Sequence, residues 1–410
     1  LMAEKNLHIA IISTWYPTPG DTSGVFVRDQ ADALIDAGNK VSVFMFEYIS
    51  LIVWLRKKLR NEPLNNWILG KNIIPLAYDF VNFSPTRFSS NPNEAQKKAF
   101  LNYIEKSFSS YINKNGKPDV IHHHGVADYC YITAFISKKF EIPYVITEHS
   151  MFLDKVDHFN SYETEEERLE MIKGAAVRMA VGKFYAEHNA KLFNAPFSVM
   201  PNMINNDFAN IPLPAFPKNT NPFCFLNIGQ LTRRKRQDIL IQAFTEAFKD
   251  NKQVQLNIAG NGELEEELIE LVTSLGMQEQ IHLLGYKERK GIIELLDKSN
   301  VVVISSEKES FSMAAAEALF RGNPVLTTLC KGPEDFIDSS NGLTCQINDV
   351  ADMKEKLLAI YGKYSSFNPV QLSKDAQSKY SEQVIAAKLE EVYREVIFSY
   401  PLAGMGNGNR

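Results

Sequence analysis

Residues 307–324 read Glu-Lys-Glu-Ser-Phe-Ser-Met-Ala-Ala-Ala-Glu-Ala-Leu-Phe-Arg-Gly-Asn-Pro. The small and apolar residues in the centre of this segment suit a helix that packs closely against a sheet. Gly322 and Pro324 then stop the helix. Strand-like runs lie on both sides, at residues 301–304 and 325–327. The order strand, loop, helix, strand is typical of a parallel sheet with covering helices.

Two carboxylates in this segment, Glu309 and Glu317, lie eight positions apart. If the whole interval were helical, a rise of about 1.5 Å per residue would separate them by roughly 12 Å along the axis. That distance is too long for two carboxylates that share a proton or a metal ion. It favours an extended ligand held at two polar points, with an anion between them at the helix N-terminus.

The length and charge of the chain limit the classes of protein to consider. At 410 residues it is too long for one ordinary core, so two domains are expected. Its net charge of −5 does not indicate nucleic-acid binding. The four cysteines are widely spaced and form no CxxC pair. This spacing argues against a zinc site or a disulfide framework and fits a reducing compartment.

Two segments bear on the location of the protein. The apolar run at residues 9–12 is too short for the core of a signal peptide and is expected to form the first strand, so we expect a cytoplasmic protein. No apolar run in the sequence approaches the length of a transmembrane helix. Residues 49–60 combine apolar residues and a tryptophan with a basic cluster. This composition fits peripheral contact with an anionic membrane surface, or a surface helix with a solvated basic face.

Strand-length apolar runs alternate with helix-length amphipathic segments along nearly the whole chain, which predicts parallel sheets with helices on both faces. Turn residues near position 200 place the first domain at 1–203 and the second at 204–380. An amphipathic segment at 381–398 is long enough to pack back across the domain boundary, and the glycine-rich tail at 399–410 is expected to be disordered. The predicted strands are 8–13, 40–46, 120–122, 144–148 and 197–200, then 223–229, 254–259, 281–284, 301–305 and 325–328.

Glycine and histidine residues follow strands of the first half, at the sheet edge where parallel sheets bind ligands. Gly24 lies where a helix begins, so it either lets the backbone approach a ligand or forms a plain turn. Three consecutive histidines occupy one strand, and alternation points His122 and His124 one way and His123 the other. No carboxylate or cysteine at motif spacing supports a metal site there. His124 and His149 could line one cleft, whereas His122 fits a packed core residue as well as a functional one.

Two loops of the second half also follow predicted strands. Residues 229–238 contain four consecutive cations at the entrance of a helix, which favours phosphate binding, with a solvated basic loop as the alternative. Gly260 and Gly262 form a Gly-x-Gly turn, but Glu265 stands where the dinucleotide fingerprint needs a third glycine. This turn is therefore weak evidence for NAD, and a plain strand-to-helix turn fits it equally well.

In this order the motifs resemble those of the retaining glycosyltransferases of family four, which have an α/β GT-B architecture of two facing Rossmann-like domains with parallel sheets and an interdomain cleft. The resemblance spans about residues 7–398. Its motifs are the glycine loop ending at Gly24, the strand end at 119–124, Thr147-Glu148-His149, Pro201-Asn202, Gly229 with Lys235, Gly260-Asn261-Gly262, Leu284-Gly285-Tyr286, and Glu309-Ser310-Phe311-Ser312 through Glu317. The last of these resembles the Glu-x7-Glu signature of the family.

The resemblance implies a role for each of these positions. Glu317 would bond the ribose hydroxyls of a nucleotide-sugar donor, and Glu309 would contact the transferred sugar. The diphosphate would be met by backbone amides and cations, namely Phe311, Ser312, Met313, Arg234 and Lys235. The other donor-side positions are Gly24, Gly229, Gly260, Gly262, Gly285 and Tyr286, the last two beside the base. The candidate catalytic residues are Glu309, Lys235, His124 and His149, and no metal or other cofactor is implied.

The chain departs from the family pattern at positions that bear on this site. Gln230 stands where the family often has arginine, so one of the arginines within residues 233–236 would have to supply that cation. Ser312 stands where the family usually has glycine. We therefore expect the amide contact to be retained only if the backbone at Ser312 avoids positive φ.

The resemblance implies a retaining glycosyltransferase that moves a hexose-type sugar from a nucleoside-diphosphate sugar to a glycan or lipid-linked acceptor, in cell-surface polysaccharide or glycoconjugate synthesis. Two alternatives stay open: a nucleotide-sugar epimerase or hydrolase of the same architecture, and a non-catalytic nucleotide-sugar-binding subunit. An NAD oxidoreductase is disfavoured because the fingerprint is incomplete. The motifs do not identify the donor sugar, the base, the acceptor or the linkage.

Overall fold

The chain folds into two compact units. The computed structural model describes residues 6–13, 15–17, 24–50, 59–60, 74–82, 94–126, 130–149 and 164–400. The first unit comprises residues 1–200 together with residues 385–410, and the second comprises residues 201–384. The division thus falls at Met200, close to the predicted boundary at residue 203, and the chain from residue 385 onward belongs to the first unit.

The first unit contains a seven-stranded parallel sheet. Its strands are β1 (His8–Ser13), β2 (Lys40–Ser50), β3 (Ile74–Asn82), β4 (Val120–His124), β5 (Tyr144–Glu148), β6 (Val177–Ala180) and β7 (Ser198–Val199). They pair in the order β3-β2-β1-β4-β5-β6-β7. All six residues of β1 are buried, as expected for a strand covered on both faces. The register sets Ser13 beside His124 and His124 beside Thr147, so β1, β4 and β5 end together.

Helices of the first unit are α1 (Val25–Asp36), α2 (Glu94–Asn115), α3 (Cys130–Phe140), α4 (Glu165–Gly174) and α5 (Lys183–Phe193). A cluster of aromatic rings forms much of the core between α2 and the sheet. The rings of Phe44 and Phe108 lie 5.1 Å apart, and that of Tyr111 lies 5.0 Å from Phe44. The Tyr111 hydroxyl is also bonded to Ser42 at 2.5 Å, so this core includes a buried polar pair.

The second unit contains a six-stranded parallel sheet in the order β10-β9-β8-β11-β12-β13. Its strands are β8 (Phe223–Ile228), β9 (Val254–Ala259), β10 (Ile281–Leu283), β11 (Val301–Ile304), β12 (Val325–Thr328) and β13 (Gly342–Cys345). The central strands β11 and β12 are entirely buried. The prediction of parallel α/β sheets in both halves is confirmed.

The remaining helices are α6 (Asp207–Asn210), α7 (Gln237–Phe248), α8 (Glu265–Ser274), α9 (Arg289–Lys298), α10 (Met313–Phe320), α11 (Val350–Gly362), α12 (Pro369–Tyr380) and α13 (Glu382–Ser399). The unit boundary falls within α13, and the later part of this helix packs on the first unit. Leu389 and Tyr393 are fully buried. Asn39 donates from Nδ2 to Oε1 of Glu390 at 2.5 Å, which ties α13 to the end of α1.

Two predictions fall wholly or partly outside the described residues. Of the segment at 49–60, residues 51–58 are not described, so its contact with a membrane stays a prediction. Residues 401–410 of the predicted disordered tail are likewise not described. Among the residues that are described, no helix combines the length and the apolar character that a membrane crossing requires.

Candidate functional site

The loops that follow β8, β9 and β10 meet at the carboxyl edge of the second sheet, because its strands are parallel. Gly229 donates its backbone N–H to the Ala259 carbonyl at 3.0 Å, and Gly260 donates to the Gly285 carbonyl at 3.0 Å. The structure thus brings Gly229, Gly260 and Gly285 together, as the strand pattern predicts.

The Gly-x-Gly turn is explained by the packing of these loops. A Cβ atom at Gly260 would lie 1.9 Å from the Gly229 carbonyl oxygen, and one at Gly262 would lie 2.4 Å from the Leu231 carbonyl oxygen. Both positions therefore require glycine for close backbone approach within the protein itself. This packing supports the interpretation as a strand-to-helix turn, and a ligand contact at these glycines stays a prediction.

An ion pair joins two of the predicted site residues across the carboxyl edge. Lys235 donates from Nζ to Oε1 of Glu309 at 2.6 Å, and the Ser306 hydroxyl donates to the same oxygen at 2.6 Å. Lys235 ends a single 3₁₀ turn, Arg233–Lys235, and its backbone carbonyl accepts a 2.7 Å bond from the Ser305 hydroxyl. The loop after β11 therefore fixes both the backbone and the charge of Lys235.

The environment of Glu309 keeps its carboxyl group ionised. Burial alone would raise the pKa of Glu309, because desolvation disfavours the charged form. The charge and hydrogen bond of Lys235, the hydrogen bond of Ser306 and the charge of Arg234 outweigh burial and hold this pKa below its ordinary value. The structure thus places a carboxylate, rather than a carboxylic acid, next to a cation.

The arginines near Lys235 have different partners. Arg236 donates to both carboxylate oxygens of Asp238, at 3.0 and 2.9 Å, and to Glu307 at 2.8 Å. These hydrogen bonds raise the pKa of Arg236 and occupy its guanidinium with negative partners. Arg234 donates to the Lys308 carbonyl at 3.0 Å, whereas the side chain of Arg233 is 80% exposed, 3.8 Å from Glu267.

Helix α10 begins at Met313, so Glu309 lies in the preceding loop and Glu317 lies in the helix. The separation expected for a continuous helix therefore does not apply. The condition set for the amide contact, that the backbone at Ser312 avoids positive φ, is not met: its φ and ψ are 72° and 81°. A ligand contact at the first amides of α10 therefore stays a prediction. In the described structure the Ser312 hydroxyl makes no capping hydrogen bond to the first turn. Ser312 thus adopts the left-handed conformation that glycine would adopt at this point, at a cost of about 1–2 kcal/mol.

Contacts on both sides hold the loop before α10 in this conformation. The ring of Phe311 packs 5.2 Å from Phe336 and 5.5 Å from Tyr380. The backbone N–H of Glu309 donates to the Cys330 carbonyl at 2.7 Å. Gly332 lies so close that a Cβ atom there would be 2.9 Å from the Glu309 carbonyl oxygen and 3.0 Å from the Phe311 nitrogen. The sequence reasoning missed Gly332, although a glycine shortly after a strand end was the available signal.

The other donor-side residues lie where their elements place them. Tyr286 follows the end of β10 and is 52% exposed, and Gly285 before it has φ of 67°. Met313 opens α10 and Glu317 lies on its second turn, both partly buried. These positions are compatible with the implied contacts, which remain predictions.

His122, His124 and His149 form a buried cluster in the first unit. His124 Nδ1 lies 2.8 Å from His149 Nε2, and the rings of His122 and His124 lie 4.1 Å apart. His123 faces the other side of the sheet, where its Nδ1 bonds Thr133 Oγ1 at 2.7 Å. The alternation predicted along β4 is therefore confirmed, and His124 and His149 do meet.

His122 is a packed residue with buried partners. Its Nδ1 lies 2.6 Å from the Tyr393 hydroxyl and its Nε2 lies 2.7 Å from Thr147 Oγ1. Burial, followed by the neighbouring histidines, lowers the pKa of His122 and of His124 well below the ordinary value. Burial also lowers the pKa of His123 to about 4. These three rings are therefore neutral at pH 7.

Gly24 is required by the fold of its own loop. It precedes α1 with φ of 77°, and a Cβ atom there would lie 2.3 Å from the Trp15 carbonyl oxygen. This contact supports the plain-turn alternative, and an approach to a ligand stays a prediction. Within the described ranges, no group of three or more histidine, cysteine, aspartate or glutamate side chains is arranged to hold a metal ion.

Two family models match the chain, one in each half. The model for glycosyltransferase family 4 matches residues 23–208, and the model for glycosyl transferases group 1 matches residues 213–371. An uncharacterized glycosyltransferase from Methanocaldococcus jannaschii is 29% identical over 272 residues. That match spans 60% of this chain and 63% of the relative's length.

Solved structures share the fold over nearly the whole chain. Sucrose-phosphate synthase from Thermosynechococcus elongatus superposes with a TM-score of 0.68 at 17% identity, covering 95% of this chain and 99% of that one. The Anabaena protein HepE, solved in complex with UDP, superposes with a TM-score of 0.67 at 15% identity, covering 95% and 100%. Both family models and the two parallel α/β units lead to one assignment: the chain belongs to the family-4-like glycosyltransferases of the GT-B type.

Proposed function

We propose that the protein is a retaining glycosyltransferase that moves a hexose-type sugar from a nucleoside-diphosphate sugar to a glycan or lipid-linked acceptor. The 2.6 Å bond from Lys235 to Glu309, a residue of the loop just before α10, is the observation that carries this proposal. It sets a cation and an ionised carboxylate beside a helix N-terminus whose amides need an acceptor. Retention of configuration is proposed on the family resemblance.

Departure of the nucleoside diphosphate develops negative charge, which fixed donors and cations can stabilise. An ammonium group carries three N–H donors, so Lys235 can keep its bond to Glu309 and still donate to a phosphate oxygen. The first amides of α10 add partial positive charge at the same end. We therefore expect Lys235 and the start of α10 to stabilise the leaving group together, with no step that requires a metal ion.

Arg234 is proposed as the second cation, in place of the arginine that the family often has at the position of Gln230. Arg236 is bound by two carboxylates, and Arg233 is largely exposed. The charge of Arg234 acts on Glu309, and its bond to the Lys308 carbonyl uses one of its five N–H donors. Arg234 is thus the arginine best suited to meet a phosphate.

The remaining roles follow the resemblance. Glu309 would accept hydrogen bonds from hydroxyls of the transferred sugar, and Glu317 would accept them from the ribose. Tyr286 and Gly285 would border the base, and His124 or His149 would contact the reacting sugar. Because the Anabaena protein of this fold was solved with UDP, uridine diphosphate is the first nucleotide to test.

Thermal unfolding with a panel of nucleoside diphosphates tests the donor site. A ligand that binds only the folded protein at one hundred times its dissociation constant stabilises it by about 2.7 kcal/mol. We expect UDP, GDP or ADP to raise the melting temperature of the wild type and to do so less for Lys235→Ala and Glu317→Ala. A response to NAD alone would contradict the proposal and favour an oxidoreductase.

Transfer assays distinguish the proposed reaction from its alternatives. Lys235→Ala and Glu317→Ala are each expected to reduce transfer at least about tenfold, a loss of about 1.4 kcal/mol in barrier. Wild-type turnover in both variants would refute the assignment of these residues. Incubation of the donor without acceptor adds a second criterion, since rapid release of free sugar or of an epimer would favour a hydrolase or an epimerase.

A further inference from the structure

His122 and His124 are joined by a buried side chain that the proposed function does not use. Gln30, on α1, is 8% exposed. Its Nε2 lies 3.1 Å from His122 Nδ1 and 3.3 Å from His124 Nε2. Gln30 therefore connects His122, which contacts Tyr393, to His124, which contacts His149.

We infer that Gln30 is a positioning residue that fixes the protons of His124 and His149 on their Nδ1 atoms. The inference deepens the proposed function and rests on it for the role of these histidines in the reaction. The proton positions themselves can be derived from the hydrogen bonds alone.

The derivation starts at Tyr393. A phenol is a stronger hydrogen-bond donor than a neutral imidazole, and an imidazole nitrogen is a better acceptor than a phenolic oxygen. At 2.6 Å, the Tyr393 hydroxyl therefore donates to His122 Nδ1. A neutral His122 must then carry its proton on Nε2, which donates to Thr147 Oγ1 at 2.7 Å.

The state of His122 orients the amide of Gln30. Since His122 Nδ1 presents a lone pair, the atom of Gln30 at 3.1 Å must be the amide nitrogen, because an amide oxygen there would be repelled. The second N–H of that nitrogen faces His124 Nε2 at 3.3 Å, which makes His124 Nε2 an acceptor. His124 therefore carries its proton on Nδ1.

The last link is the pair of histidines at the strand ends. His124 Nδ1–H donates to His149 Nε2 at 2.8 Å, which leaves a neutral His149 with its proton on Nδ1. If an amide oxygen of Gln30 faced His124 Nε2 instead, the protons of His124 and His149 would each move to the other ring nitrogen. A single amide thus selects whether His149 presents an N–H donor or a basic lone pair at Nδ1.

Long-range ¹H–¹⁵N correlation spectra of protein labelled with ¹⁵N-histidine measure these tautomers directly, in the full chain without donor. Single substitutions of His122, His124 and His149 assign the signals. We expect His124 and His149 as Nδ1–H tautomers and His122 as the Nε2–H tautomer at pH 7.5. A wild-type His124 with its proton on Nε2 would overturn the inference.

Gln30→Met, which keeps the length of the side chain and removes both N–H donors, tests causation. We expect His124 and His149 to populate both tautomers in this variant, with the signals of His123 unchanged as a sign of intact fold. The matched control is Thr133→Val on α3, whose hydroxyl contacts His123 on the opposite face of β4; it should alter His123 and leave His124 alone. If Gln30→Met keeps a single Nδ1–H tautomer at His124, Gln30 does not fix it.

Transfer assays separate this inference from the proposed function. Under the proposal, Gln30→Met lowers kcat about tenfold and leaves KM for the donor within twofold, because the donor site lies on the second unit. An unchanged kcat in a variant with mixed tautomers would refute the positioning role. Absence of transfer by the wild type would instead refute the proposed function, and the tautomer spectra would still decide the proton positions.

Discussion

Replacing Lys235 by methionine removes one charge from a partly buried pair and keeps the aliphatic stem over Gly229. At the observed 2.6 Å and an effective dielectric constant of about 20, the attraction between the two charges is about 6 kcal/mol. Desolvation of both groups offsets part of it. The Glu309 side chain is only 9% exposed, so the remaining carboxylate would be poorly solvated. We expect Lys235→Met to destabilise the second unit by about 3 kcal/mol.

The distribution of tryptophans allows the two units to be followed separately during urea unfolding. All three tryptophans precede residue 200, whereas circular dichroism reports helices of both units. Lys235→Met should shift the transition seen by circular dichroism and leave the tryptophan transition in place. Glu309→Gln in the same background should recover most of the loss, because the unpaired charge is gone. Additive effects of the two substitutions would refute the ion-pair reasoning.

The same pair predicts a pH dependence. The folded-state pKa of Glu309 lies below the unfolded value of about 4.3, so the pair contributes stability above that pH and loses it as pH falls through the folded-state pKa. The stability difference between wild type and Lys235→Met should therefore be constant at neutral pH and shrink in acid. A difference that persists undiminished at pH 3 would contradict an ionised Glu309.

Three further predictions concern other parts of the chain. Ser312→Gly should stabilise the second unit by about 0.5–1 kcal/mol in urea unfolding, because relief of left-handed strain exceeds the added entropy of glycine; a loss of stability would show that Ser312 is unstrained. Arg234→Gln should weaken UDP binding about tenfold by calorimetry while Arg236→Gln weakens it less than twofold; the reverse order would assign the cation to Arg236. Because burial lowers the pKa of His123 to about 4, the unfolded chain binds its proton first, and this group alone should lower the stability of the first unit by up to about 3 kcal/mol between pH 6.5 and 4. In His123→Gln, unfolding followed by tryptophan fluorescence should lose less stability between pH 6.5 and 4 than the wild type does. The loss that remains is the contribution of the other histidines.

Long apolar segments predicted most of the architecture. The strand at residues 8–13 was predicted with the observed bounds, because all of its side chains are buried and its four central residues are apolar. Short or polar elements were missed. β7 was predicted within residues 197–200, whereas β6 and β13, which are only partly buried, were not predicted. These strands are held by pairing with their neighbours, which a local sequence pattern does not report.

The candidate site was predictable in part for the same reason. The family resemblance implied one site for Lys235 and Glu309, and parallel strands, which bring their carboxyl ends to one edge, explain how they can meet although 74 positions separate them. Their direct contact depends on the 3₁₀ turn at residues 233–235, whose sequence reads as a basic loop. The roles of Gln30 and Tyr393 depend on contacts over 92 and 271 positions, which no spacing rule encodes.

Ser312 shows how tertiary contacts can override a local preference. Serine disfavours positive φ, so its sequence position argued against the backbone that glycine would adopt. The preceding Phe311 packs between two aromatic rings, and Gly332 lies so near the loop backbone that a Cβ atom there would be 2.9 Å from the Glu309 carbonyl oxygen. Because Phe311 and the loop backbone beside Gly332 are both fixed by packing, Ser312 adopts the left-handed conformation at the start of α10. The packing of the surrounding core compensates for the strain. The first amides of α10 are then directed before any ligand arrives, so binding of an anion would require little reorganisation of the protein.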